Sequence, residues 1–191
     1  MNYVGTSGFS YPKWKGTFYP VKTAAKDMLG YYAGRFRAVE INNTFYKPPE
    51  AAGLAGWAGQ VPAGFRFAFK APQRITHIRR LRNADAEVAA LFEALDTLGE
   101  KLGPLLFGLP PNFKKDAECL RAFLGQMPVG RRVAFEFRNA SWFDDEVFAL
   151  LRKSRVALCI ADESDYVFFK HEDTGTGPAF ATRLLKELGE N

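Results

Sequence analysis

Two cysteines and two histidines supply all the thiol and imidazole in 191 residues. Cys119 lies in a stretch of helical spacing and Cys159 inside an apolar run, so both read as buried thiols. They offer neither a disulfide framework nor a thiolate metal site. His77 and His171 share no short ligand spacing with each other or with Glu40, Glu136 or Asp162, which leaves zinc without support. A Mg²⁺ or Mn²⁺ ion held by carboxylates stays open, and no other cofactor is named by the residues. Long apolar runs are also missing: none approaches the roughly 18 residues of a membrane helix. The chain starts Met1-Asn2-Tyr3-Val4, with no charged segment ahead of an apolar one. The expectation is a cytoplasmic protein with no membrane partner.

What is present is a well-mixed composition, 47% hydrophobic and 25% charged, without a break that would mark a second domain. One core and one domain over residues 1–191 follow. The formal charge of +5 and a pI of about 9.2 admit a phosphate-containing or other anionic small molecule as ligand, and nucleic acid as partner. Solvated lysine and arginine account for such a charge equally well.

Short apolar or alternating runs recur between stretches of helical spacing. The strand candidates are Tyr3 to Gly5, Ala38 to Asn42, Phe65 to Lys70, Pro104 to Leu109, Arg132 to Arg138, Val156 to Ala161 and Tyr166 to His171. A helix is expected over Asp85 to Leu102, where Val88, Leu91, Phe92, Leu95, Leu98 and Leu102 share a face. A second follows Asp116, a candidate cap, with Leu120, Phe123, Leu124 and Met127 as its apolar stripe. A third has Pro178 in its first turn, Leu184, Leu185 and Leu188 on its apolar face, and Gly189 as its stop.

Strand then helix, repeated, means a parallel α/β sheet. In Val39-Glu40-Ile41-Asn42 and in Val133-Ala134-Phe135-Glu136-Phe137-Arg138, large apolar residues alternate with small or polar ones. A doubly wound sheet covers both faces with helices and favours continuously apolar strands. A TIM-type (β/α) barrel covers one face and turns the other inward, which suits the alternation. Only Asp162-Glu163-Ser164-Asp165 separates the last two strand candidates, too few for a parallel crossover. Either those two strands form a hairpin, or a seventh strand and its helix are lacking between Asp162 and Tyr166. Seven strands counted where a barrel has eight favours the second.

Six segments carry a family resemblance: GTSGFSYPKWKGTFYP (5–20), VEINNTFYKPP (39–49), FRFAFKAPQRITH (65–77), LGPLLFGLPPNFK (102–114), AFEFRNASW (134–142) and FFKHE (168–172). In this order they resemble the YecE-like family, domain of unknown function 72, over almost the whole chain. The resemblance implies a TIM-barrel type of fold, usually on a chain a few dozen residues longer, and no established reaction. It also implies a glutamine before the Leu-Pro-Pro of the fourth strand, where this chain has Gly108. The lost seventh βα unit is a second departure, and it implies an open barrel.

Barrel active sites gather at the C-terminal ends of the strands. The polar inventory there is Ser7 in a Gly-Thr-Ser-Gly turn suited to an anion, Glu40 with Asn42, Tyr46, Lys70, Thr76 with His77, Glu136 with Arg138, Asp162, and Lys170 with His171. Glu136 and Arg138 share a strand face, as a catalytic pair or as an ion pair ordering the mouth. Glu40 offers a second carboxylate for paired acid and base work. His77 lies among Lys70, Arg74, Arg79 and Arg80, where an imidazole beside a bound anion would move protons. The competing view is that the arginines solvate the start of the next helix. Of the dense N-terminal aromatics, Trp14 and Tyr46 are the candidates for a wall against a sugar or a base, the others packing loops.

Three functions are compatible with this inventory. One is an enzyme on a phosphorylated or nucleic-acid ligand, a hydrolase or lyase, with Glu136 as general base, His77 as proton donor, and Arg138 with Lys70 holding the anion. Another is a metal-independent carbohydrate-active enzyme using Glu136 and Glu40. The third is a non-catalytic barrel with a ligand pocket.

Overall fold

The computed structural model describes residues 2–159, 166–169, 176–187 and 189. Strands and helices alternate: β1 (Tyr3–Thr6), α1 (Met28–Ala33), β2 (Ala38–Ile41), α2 (Ala51–Ala58), β3 (Arg66–Lys70), α3 (Asp85–Asp96), β4 (Leu102–Gly108), α4 (Ala117–Leu124), β5 (Val133–Glu136), α5 (Asp145–Ser154), β6 (Ala157–Leu158), β7 (Tyr166–Phe169) and α6 (Thr176–Glu187). Five strands form one parallel sheet in the order β2-β3-β4-β5-β6, and β1 pairs with β7. A parallel bridge between Ser7 and Glu40, with the Gly8 amide donating to the Glu40 carbonyl at 2.8 Å, brings β1 beside β2. The spatial order is therefore β7-β1-β2-β3-β4-β5-β6, the wrap of a TIM-type barrel.

Because every ladder is parallel, β6 and β7 run the same way, and the hairpin alternative falls. Among the described residues no ladder joins β6 to β7. That seam is where the sequence leaves room for the strand and helix expected to be lacking.

The two faces of the strands separate as the alternation demands. Val39, Ile41, Phe67, Phe69, Leu105, Phe107, Val133 and Phe135 are buried, and the Phe107 and Phe135 rings meet Phe123 of α4 at 5.2 and 6.1 Å between centroids. This face packs on the helices. Glu40, Lys70, Leu106, Ala134 and Glu136, the residues between, are only partly buried and turn to the barrel interior.

The helices start and stop for local reasons. Asp116 caps α4 through its carboxylate, which accepts from the Cys119 amide at 2.9 Å, and Asp144 does the same for α5 from Glu146 at 3.0 Å. α3 ends at Asp96, short of the expected Leu102, because Gly99 takes a left-handed φ of +53°. Leu102 instead begins β4 and pairs with Phe67. Leu184 and Leu185 of α6 pack on the core as expected, whereas Leu188 lies outside the described residues.

The β1–β2 contact has a specific chemistry. A Cβ on Gly5 would stand 2.0 Å from the Ala38 carbonyl oxygen, so only glycine lets the strands approach. The buried Tyr32 hydroxyl of α1 closes the contact: it accepts from the Thr6 amide at 2.7 Å and donates to the Ala38 carbonyl at 3.0 Å. Burial pushes this phenol far above its ordinary pKa, so it stays protonated and able to donate. The seam holds Ser7, Glu40 and Asn42 together at the mouth.

Candidate functional site

Lys70 and Glu136 are the last residues of β3 and β5, and Gly108, the last of β4, registers with Glu136. A Cβ at Gly108 would meet Glu136 Oε2 at 3.0 Å and Lys70 Cε at 3.7 Å. The missing side chain is what lets ammonium and carboxylate share the centre of the mouth. Arg138, two residues on and on the same side, donates from Nε to Glu136 Oε1 at 2.8 Å. That charge-assisted bond raises the guanidinium pKa.

His77 enters from a single π-helical turn, Arg74–Ile78, that follows β3. Its Nδ1 lies 2.9 Å from the buried Thr76 hydroxyl, and its ring meets Phe45 edge-on at 5.0 Å. Lys70 Nζ lies 5.4 Å from the centre of the same Phe45 ring. Desolvation, then the charges of Arg138 and Lys70, lower the His77 pKa against the opposing pull of Glu136. These influences favour the neutral imidazole, and Nε2 is turned away from Thr76.

Across the mouth, Asn42 Nδ2 donates to Glu40 Oε2 at 3.1 Å and to Ser7 Oγ. The amide cannot sit the other way, since its oxygen would then face the Glu40 carboxylate. Asn42 Oδ1 is buried without a hydrogen-bond partner among the described residues. Cys159, just past β6, links the two groups. Its thiol pKa is raised by burial first and then by Glu136 and Glu40, with Lys70 opposing.

Among the described residues, no three His, Cys, Asp or Glu side chains gather closely enough to hold a metal ion. No helix there is long and apolar enough to cross a membrane.

The profile of the family described as protein of unknown function DUF72 matches residues 3–166. The chain belongs to this family. The UPF0759 protein YecE of Escherichia coli (strain K12) is 31% identical over 144 residues, which is 75% of this chain and 50% of YecE. The chain thus spans about half the length of that curated relative. The crystal structure of a DUF72 family protein from Thermotoga maritima MSB8 aligns with a TM-score of 0.74 and 29% identity, over 91% of this chain and 71% of that one. D-psicose 3-epimerase shares the fold alone, with a TM-score of 0.50 and 12% identity over 82% of this chain and 62% of the epimerase.

This DUF72 barrel brings together Glu136, Arg138, Lys70 and His77 as one group, and Glu40, Asn42 and Ser7 as a second. Thr76 is fully buried and holds His77 in place. Tyr46 is 76% exposed at the rim, edge-on to Phe45. Trp14 corrects the expectation: it is 1% exposed and packed against Tyr11, Phe18 and Tyr19, so it closes the core and cannot stack on a ligand. Three arginines around His77 are also structural. Arg74 and Arg79 bind Glu87 of α3 at 3.0 and 2.6 Å, and Arg82 binds Asp116 at 2.5 Å. They pin a turn in which Arg80, Leu81 and Asn83 all take left-handed φ angles. Asp162, Lys170 and His171 lie outside the described residues.

Two residues escaped sequence reasoning. Cys159 lay inside a strand candidate that ran to Ala161, and only the structure, in which β6 ends at Leu158, puts it just past a strand end. Phe45, which backs both His77 and Lys70, had no signal beyond its membership of an aromatic cluster.

Proposed function

We propose that the C-terminal mouth of this DUF72 barrel binds a small polar molecule carrying a phosphate or similar anionic group and moves a proton on it. The observation that carries this reading is the convergence of Lys70, Arg138, Glu136 and His77 from separate segments on the gap beside Gly108. Lys70 and Arg138 serve as the anion clamp, and Glu136 as general base. His77, its pKa lowered by burial and then by its cationic neighbours, passes protons at Nε2.

The same phosphate contacts would serve a polynucleotide, and steeply salt-dependent binding would identify that source. A carbohydrate-active reading is favoured by one observation: Cys159 senses both Glu136 and Glu40, so the two carboxylates face one interior. Glycoside hydrolysis needs them within roughly 9.5 Å.

Titrating inorganic phosphate into protein with labelled imidazoles tests the anion clamp. A saturable shift of the His77 resonances, with an upward move of its titration midpoint, is expected in the wild type and lost in Lys70→Met and Arg138→Met. Phosphate that leaves His77 unmoved defeats the proposal. Once a substrate is in hand, Glu136→Gln should abolish turnover while binding persists.

A further inference from the structure

The end of the barrel opposite the mouth holds a separate cavity of about 370 Å³, at the starts of β3, β4 and β5. Arg66 opens β3, Leu102 opens β4, and Arg131 and Arg132 lead into β5. Lys70 closes the strand that Arg66 opens, so the cavity lies roughly 13 Å below the mouth along β3. The loops that enter β4 and β5 turn at Gly99 and Gly130, with left-handed φ angles of +53° and +81°. No atom lies within 4 Å of where a Cβ would stand on either glycine, so both leave the rim of the cavity open.

Three guanidinium groups, of Arg66, Arg131 and Arg132, and one carboxylate, of Glu100, line this space. Two of the guanidinium groups are held by the protein with donors to spare. Arg66 Nη1 donates to the Ala63 and Phe65 carbonyls, each at 3.0 Å, and Arg131 Nη2 binds Asp96 Oδ1 at 2.6 Å. Nε and Nη2 of Arg66, and Nε and Nη1 of Arg131, make no hydrogen bond among the described residues. The Arg132 carbonyl accepts from the Leu105 amide at 2.9 Å, which ties the third arginine's backbone to β4.

Oriented forks with open donors are what arginine uses to recognise phosphate. The volume falls at the low end of the roughly 300–1,000 Å³ of small-molecule sites, which suits a small organic phosphate better than an inorganic ion alone. Glu100 narrows the choice. Among the described residues it forms no ion pair with these arginines, so a phosphate by itself would sit beside an unanswered carboxylate. A ligand that also carries a cation answers it, whereas a polynucleotide brings only a row of phosphates.

We infer that this cavity is a binding site for a small phosphate monoester that carries an amino group, its phosphate against Arg66, Arg131 and Arg132 and its ammonium against Glu100. The site joins the starts of three neighbouring strands and does not rest on the reading proposed for the mouth.

The test uses the whole chain labelled at arginine and histidine, with the Nε–H resonances of Arg66 and Arg131 reading the cavity and the His77 imidazole reading the mouth. The probes are inorganic phosphate, methyl phosphate, phosphoethanolamine and a short oligothymidylate. Phosphoethanolamine is expected to shift both arginine resonances saturably and to bind at least about five-fold tighter than methyl phosphate. Arg66→Met and Arg131→Met should each weaken it at least about ten-fold. Glu100→Gln, a change on an exposed side chain, should erase the difference between the two esters.

Arginine resonances that stay still, or that drift without saturation, overturn the site. Methyl phosphate binding as tightly as phosphoethanolamine overturns the assignment of an amino-bearing ligand. Oligothymidylate binding tighter than either ester, with steep salt dependence, overturns the small molecule in favour of a polynucleotide surface. Saturable arginine shifts with an unmoved His77 uphold this cavity while the anion clamp at the mouth falls, and the reverse pattern removes the cavity and keeps the clamp.

Discussion

Replacing Tyr32 by phenylalanine removes one oxygen and leaves the ring, its rotamer and its packing in place. That oxygen completes two bonds across the β1–β2 seam, from the Thr6 amide at 2.7 Å and to the Ala38 carbonyl at 3.0 Å. The Thr6 hydroxyl lies 3.0 Å from it but has a shorter acceptor in the Gly8 carbonyl at 2.6 Å, so that contact adds little. Thr6 and Ala38 are both fully buried, and water cannot replace the lost oxygen. An amide and a carbonyl each left without this partner cost about 1–3 kcal/mol, which gives about 2–4 kcal/mol after partial relaxation. With a urea slope near ~2 kcal/mol/M, the unfolding midpoint falls by roughly 1–2 M. The assay is urea unfolding followed by tryptophan emission and far-ultraviolet circular dichroism, whose transitions must coincide for the figure to hold. Tyr31→Phe, a half-buried ring on the same helix, is the control. A loss below about 0.5 kcal/mol for Tyr32→Phe, no larger than for an ordinary surface change, would refute the claim that this hydroxyl stitches the strands.

Three further outcomes are expected. Lys70→Met and Arg138→Met each raise the His77 titration midpoint, because each removes a positive neighbour, and Glu136→Gln lowers it; imidazole resonances against pH read both directions, and a change of the wrong sign breaks the electrostatic account. Since His77 has a depressed pKa in the folded state, the unfolded chain binds more protons just below pH 6.5, so its contribution to stability is lost as pH falls through that window; urea midpoints for the wild type should show a pH slope that His77→Gln reduces. Gly5→Ala places a Cβ 2.0 Å from the Ala38 carbonyl oxygen and should exceed the usual overpacking cost of about 1–3 kcal/mol. A Gly5→Ala protein with wild-type thermal stability would show that the strands do not approach so closely.

The alternation in residues 38–42 and 132–138 was enough to place Glu40, Glu136 and Arg138 on the inner face, because side chains two apart on a strand must share a side. Lys70 was reached differently, from its place at the end of a strand candidate. What parity does not carry is register, and the meeting of Lys70 with Glu136 across Gly108 depends on how three strands are staggered. α1, with six residues, and α2, in which only Leu54 is buried, are too short or too rich in Ala and Gly to display a stripe. Trp14, in a conspicuous aromatic run, drew a role that its burial forbids. No local signal separates an indole that plugs a core from one that faces a ligand. The arginines around His77 were visible as a run, but Glu87 of α3 and Asp116 at the cap of α4, which pair with Arg74, Arg79 and Arg82, come from later in the chain.

Among the described residues, the inner mouth balances Glu40 and Glu136 against Lys70 and Arg138, even though the chain as a whole carries a formal charge of +5. A balanced mouth has little far field to draw ligands through solvent. Diffusional capture there should proceed at an unsteered rate with weak dependence on ionic strength, and charge should act only after contact, in how long the ligand stays. The basic exterior and the neutral interior would then answer added salt differently: loose surface association fades, while residence inside the barrel is set by close, water-poor contacts that salt screens poorly.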